Sequence, residues 1–466
     1  MISHFKIAVS RKALLVALVT GCLGVAISAL AGGFDPNLQD FPDPSGAVRT
    51  ISTTGSVDTT NPFFQSLGTN GRACISCHQP GDAWTVTPPH IQERFAASHG
   101  EDPIFRPVDG ADCPSADVST EEARERAYSM LLSKGLIRVS ISVPANAEFD
   151  VVKVRDPHHC PETTLQQFAL FRRPLPSTNL RFLATVMWDG RENAKGKTIL
   201  QDLAQQSKDA TLGHAQALTA PTDAQAAEIV AFETALFTAQ SRDNKAGRLN
   251  EDGAQGGPEA VSTQPFFLGI NDPLGGNPTG AAFDPNAFTI FNNWASLLES
   301  APHEEAREAV ARGQKLFNTL VIPITGVAGI NDALNQKVVM GFCTTCHDTP
   351  NSGNHSLSVP LNIGITDFPA LTPLDTRGLP VYTLVCRATG EIFRVTDPGR
   401  AMISGKCADI GKTKGPILRG LAARAPYFHN GSAASLQDVV NFYDRRFHLG
   451  LAEQQKADLV AFLGSL

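Results

Sequence analysis

Two short stretches, Cys74-Ile75-Ser76-Cys77-His78 and Cys343-Thr344-Thr345-Cys346-His347, decide how this chain folds and what it carries. In a CxxCH motif the two thiols add across the vinyl groups of haem, and the adjacent His is placed to bind iron on the proximal face. Two copies predict two covalently bound haem c groups. Cys74, Cys77, Cys343 and Cys346 are the expected thioether anchors, and His78 and His347 the expected proximal ligands of haem irons one and two. The rival reading, a zinc ribbon built from both CxxC pairs, leaves the His that follows each pair unexplained.

Outward from the motifs, the chain reads as exported. Residues 1–31 hold the basic Lys6, Arg11 and Lys12, an apolar run from Ala13 to Leu30, and a small-x-small site at Ala29-Leu30-Ala31, the pattern of a cleaved secretory signal. A lipoprotein box at Val19-Thr20-Gly21-Cys22 and a retained membrane anchor are the weaker alternatives, because Cys22 lies inside the apolar run rather than at its end. The expected location is the periplasm. Of nine cysteines, one falls in the signal and four in the motifs, leaving Cys113, Cys160, Cys386 and Cys407. In an oxidising compartment the economical pairing is Cys113 with Cys160 and Cys386 with Cys407, each within one half of the chain. Four free buried thiols is the alternative. A formal charge of −7 and the lack of any Lys/Arg-rich block argue against nucleic acid as a partner.

With 466 residues the chain is long enough for more than one core. Residues 32–60, rich in Pro, Gly, Asp, Ser and Thr, read as an extended lead-in, with ordered structure starting near Asn61. Residues 61–246 then form an N-terminal haem domain, 247–300 a loop-rich linker and 301–466 a C-terminal haem domain. Helices are expected from Thr120 to Lys134, with a capped start, from Asp223 to Thr238, from Glu304 to Asn318 and at the C-terminus. Ile229-Val230-Ala231-Phe232 and Leu459-Val460-Ala461-Phe462 form a faint internal repeat, each downstream of a CxxCH. Gly313 and Phe317, one turn apart, suit a crossing with the final helix.

The order of further motifs carries a resemblance. CxxCH, Trp188-Asp189-Gly190-Arg191, a second CxxCH and Ala425-Pro426-Tyr427-Phe428-His429-Asn430-Gly431 together resemble the bacterial dihaem cytochrome c peroxidase family, including its MauG-like members. The likeness runs from about residue 61 to the end, with long extra segments near 79–170 and 240–300. It implies a mainly α fold of two cytochrome c-like haem domains, here with long loop insertions, and a Trp between the haems, which falls on Trp188. It implies reduction of hydrogen peroxide at the N-terminal haem, with electrons arriving through the C-terminal haem from a small donor protein such as a c-type cytochrome or a cupredoxin. Oxidation of residues on a protein substrate, as in MauG-like members, is the second reading, and a dihaem electron carrier without peroxide chemistry the third. On the distal side of the first haem the family has a Gln and a Glu. Gln206 matches the Gln, no Glu follows at the expected distance, and His214 is the nearest group suited to moving a proton near neutrality. Peroxidases of the family bind the second haem through a Met fourteen residues after the His of PYFH. That position is Tyr443, as in MauG-like members, and Met402 is the alternative ligand. His90 and His99 are candidates for a resting-state ligand of the first haem. Family members also bind calcium between the domains, partly through an Asn near the position of Arg173 and carbonyls near the APYF motif, where Arg424 replaces the usual Thr, so calcium is a further candidate cofactor.

Overall fold

The helices Glu304–Thr319 and Glu453–Gly464 cross at Gly313, where any side chain would overlap the carbonyl oxygen of Asp458. One turn further on, the Phe317 ring lies 5.5 Å from Phe462 and 5.9 Å from His347, so the crossing builds the wall behind the second CxxCH. The first half repeats this in reduced form. Its helix Asp223–Ala235 brings Phe232 to 4.9 Å from Phe63, and Phe63 lies 6.1 Å from His78. The chain before that CxxCH contributes only the 3-10 turn Pro62–Phe64 in place of a full helix.

This computed structural model describes residues 35–277, 279–297 and 303–466, so the expected signal segment and Cys22 lie outside the described residues. From Pro36 to Leu466 the chain forms one unit. The helices begin where their caps predict. Thr120 accepts from the Ala123 N–H, and Thr198 and Thr222 close reciprocal boxes with Gln201 and Gln225. The expected 120–134 helix is interrupted at Tyr128, giving Glu121–Ala127 and Ser129–Lys134.

Strand content departs most from expectation. The described residues are 30% helical and 16% strand, so a mainly α class is too simple a description. Order begins before Asn61: Asp40–Asp43 and Gly46–Ser52 form a hairpin, and Gly46–Ser52 pairs antiparallel with Leu236–Asp243. That pairing also explains why the 223–238 helix stops at Ala235. A second sheet joins distant parts of the chain, with Phe149–Arg155 and Ile392–Val395 flanking Val381–Cys386. Both expected disulfides are present, Cys113–Cys160 and Cys386–Cys407, with Cα atoms 5.4 and 6.0 Å apart. The 247–300 stretch does more than link. Ala254, Phe288, Phe291 and Trp294 are buried in one cluster with Val310, Phe317 and Phe462. Among the described residues no helix is long and apolar enough to cross a membrane.

Candidate active site

Each CxxCH begins as a single 3-10 turn, Cys74–Ser76 and Cys343–Thr345. The hydroxyl two residues after the first cysteine closes it: Ser76 Oγ accepts from the Ala73 N–H at 3.1 Å, and Thr345 Oγ1 from the Phe342 N–H at 2.8 Å. The N–H groups of His78 and His347 donate to the carbonyls of Cys74 and Cys343, both at 3.1 Å. Each imidazole is then fixed by a carbonyl six residues downstream, Nδ1 of His78 lying 3.0 Å from the Trp84 oxygen and Nδ1 of His347 2.6 Å from the Gly353 oxygen. A carbonyl only accepts, so Nδ1 carries the proton and Nε2 keeps its lone pair. Burial pushes both rings down to about 4, against the pull of those carbonyls, which leaves them neutral and able to ligate at pH 7.

The motifs line two cavities of similar size, about 210 and 200 Å³. Cys74, Cys77 and His78 border the first together with Gln206 and His214. Cys343, Cys346, His347 and Tyr443 border the second. Trp188 borders both. Its indole N–H donates to the Arg173 carbonyl at 2.8 Å, its own carbonyl accepts from the Lys414 N–H at 2.9 Å, and its ring lies 6.0 Å from that of His429.

These residues fit haem c. Each cavity combines two free thiols and a neutral imidazole with a largely apolar lining. Each is also bordered by buried polar nitrogens without a hydrogen bond, Arg424 Nε in the first and both ring nitrogens of His429 in the second, where Nε2 lies 3.5 Å from the Asp397 carboxylate. Lys414 borders both cavities, and its ammonium reaches the Thr185 carbonyl at 3.3 Å. Burial pushes its amine down to about 7. Buried donors require acceptors, and the two carboxylates of a haem are acceptors of the right charge.

The first cavity is bordered by ionisable side chains beyond those expected from the sequence. His214 follows the helix Ile199–Gly213, and its Nδ1 bonds the buried Asp109 carboxylate, which also takes Arg72 Nη1. Burial would raise the Asp109 carboxyl, but His214 and Arg72 together hold it below its ordinary value. The imidazole is thereby oriented at the cavity wall. Asp109 and Arg72 carried no motif signal. Glu233 was also missed. Its carboxyl is buried on the first cavity with Oε2 unpaired, and burial pushes it up to about 8. An acid directly after the apolar run Ile229-Val230-Ala231-Phe232 was the available clue.

Other candidates fall elsewhere. Met402 is packed among Phe149, Tyr382 and Leu384 and does not border the second cavity, whereas Tyr443 does. His90 bonds Asp82 and His99 bonds Glu121, and neither borders the first cavity.

Each of the two CxxCH-lined cavities thus has the side chains that attachment of a c-type haem requires. The chain is similar to bacterial cytochrome-c peroxidases. It is 34% identical over 141 residues to cytochrome-c peroxidase IdrP2 of Denitromonas iodatirespirans, a match covering 27% of this chain and 36% of that protein. It is 32% identical over 191 residues to IdrP1 of the same organism, covering 38% and 44%. Cytochrome c551 peroxidase of Nitrosomonas europaea matches at 27% identity over 146 residues, covering 30% and 36%. The chain spans less than half the length of each of these curated relatives. No family model matches it. Among solved structures, a MauG-like protein associated with microbial copper homeostasis aligns with a TM-score of 0.39 at 16% identity, over 87% of this chain and 86% of that one.

Proposed function

We propose that the chain is a periplasmic dihaem c-type oxidoreductase that reduces hydrogen peroxide at the N-terminal site with electrons passed through the C-terminal site. The observation that carries this reading is Trp188, which borders both CxxCH cavities. On this reading residues 61–246 hold the peroxidatic site and 301–466 the site that receives electrons from a small c-type cytochrome or cupredoxin. Haem c, when bound, supplies an iron at each site that coordinates ligands and stores and passes electrons. The chain's own residues do the rest. His78 and His347 would hold the two irons, and Gln206 and the His214–Asp109 pair stand at the first cavity to orient peroxide and move its protons. Peroxide takes two electrons and two protons and leaves as two waters. The two disulfides support an oxidising compartment.

One observation favours a second reading. Tyr443, rather than a thioether, borders the second cavity, as a MauG-like oxidation of residues on a partner protein would require. A plain dihaem electron carrier would leave the first cavity without any use for its His–Asp pair.

The mature protein is expected to carry two covalent haems by mass and haem stain. Ferric protein should bind cyanide and react with hydrogen peroxide. His214→Ala should slow the peroxide reaction on the order of 10²-fold, the lower range for a lost proton-transfer group, with haem content unchanged. A single haem would overturn the dihaem reading, and an unchanged peroxide rate in the variant would return His214 to a structural role.

A further inference from the structure

Arg173 lies at the foot of Trp188, buried with 5% of its surface exposed. Among the described residues no carboxylate stands within ion-pair distance of its guanidinium. Three backbone carbonyls from separate segments surround it instead: Nη1 donates to Lys134 at 3.0 Å, and Nη2 to Val86 at 2.7 Å and Arg424 at 3.0 Å. The main chain of the same residue completes the junction. Its N–H donates to the His429 carbonyl at 2.6 Å, and its carbonyl receives the Trp188 indole N–H at 2.8 Å. Gly135, at φ 62°, makes the cage possible, because a Cβ there would overlap Arg173 Nη1.

Converging carbonyl oxygens are the donor set of a hard divalent cation such as calcium. Here they already serve guanidinium N–H groups, and a guanidinium cannot be deprotonated to make room. The calcium expected at this junction therefore does not fit the residues present. We propose that Arg173 is a tethered cation that takes the place of a divalent ion, so that Trp188 is held between the two cavities without calcium. Arg173 is then a positioning residue. The inference concerns the setting of Trp188 and stands whether or not the protein reduces peroxide.

The test uses the ferric holoprotein and Soret circular dichroism, which reads the geometry of aromatic rings against haem, with Trp188→Phe identifying the tryptophan-dependent part of the signal. Wild-type protein should give the same signal and the same unfolding midpoint after exhaustive chelation and after return of millimolar calcium. Arg173→Asn should lose the tryptophan-dependent part in chelator. Two outcomes would overturn the proposal: a wild-type signal or midpoint that falls on chelation and recovers with calcium, or an Arg173→Asn signal identical to wild type in chelator. The wild-type arm decides even if the variant does not fold.

Discussion

Arg172→Met is expected to lower the unfolding free energy at neutral pH by about 3–5 kcal/mol, the range for breaking a buried ion pair from one side. The Arg172 guanidinium reaches two buried carboxylates, Nη1 to Asp189 at 2.5 Å, and Nε and Nη2 to Asp397 at 2.7 and 2.9 Å. Burial alone would raise both carboxyls, but Arg172, helped by Arg191 beside Asp189 and by His429 and the Gly399 N–H beside Asp397, holds each below its ordinary value. Methionine fills a similar volume but removes the one cation that both carboxylates share, leaving Asp189 with Arg191 and Asp397 with the Gly399 N–H and the His429 ring.

The sign of the pH dependence follows. Carboxyls depressed in the folded state contribute stability that is fully present above their unfolded value, about 3.9, and lost as pH falls through the folded values. In the variant Asp397 keeps no guanidinium, so burial weighs more heavily on it and it takes up its proton at higher pH than in wild type, while Asp189 retains Arg191. The gap between wild type and variant should therefore be widest near neutrality and should narrow as pH falls toward 4. Denaturant unfolding at several pH values measures it. A gap under about 1 kcal/mol, the worth of an exposed pair, or one that does not change with pH, would refute this account. The consequence reaches the site because Asp189 follows Trp188, and Arg400 ties the Asp189 and Gly190 carbonyls at 3.1 and 2.8 Å.

What could be read from the sequence was local. The CxxCH turns follow from five consecutive residues, the caps from spacings of three, and the Gly313 crossing from one glycine in an amphipathic helix. Trp188 was legible as a motif, and the disulfides from parity and proximity along the chain. What escaped were pairings set by tertiary context. Leu236–Asp243 is buried along most of its length, so it lacks the alternation that marks a strand and reads as more helix. Gly46–Ser52 becomes a strand because that partner exists nearly two hundred residues away. Asp109 was invisible for a related reason: it lies in one of the long extra segments, where no motif spacing points to it, and only folding brings it to His214.

Tyr443 separates the two enzymatic readings, and its variants should shift the second haem most. Tyr382 and Tyr427 each donate their hydroxyl to a backbone carbonyl, at 2.9 and 3.0 Å. Tyr443 borders the cavity of Cys343, Cys346 and His347, and burial pushes its phenol well up with no hydrogen bond acting on it. Among the described residues no hydrogen bond holds the Tyr443 oxygen, and an iron held by His347 would give it a partner. Tyr443→Phe keeps the ring packed near Phe428 and Phe447 and removes only that oxygen. The ferric spectrum of the second haem should then change spin state or acquire water, while the first haem keeps its spectrum. Tyr443→Met should raise the potential of the second haem by on the order of 0.2 V, within the span of about 0.8 V over which axial ligands act. A phenol oxygen favours the ferric state, whereas a thioether favours the ferrous one. Such a variant should accept electrons from a small cytochrome more readily and behave more like an ordinary peroxidase. Spectroelectrochemistry of both variants measures these changes. If neither moves the spectrum or the potential of the second haem, Tyr443 is a wall residue, the protein-oxidation reading loses its support, and peroxide reduction stands alone.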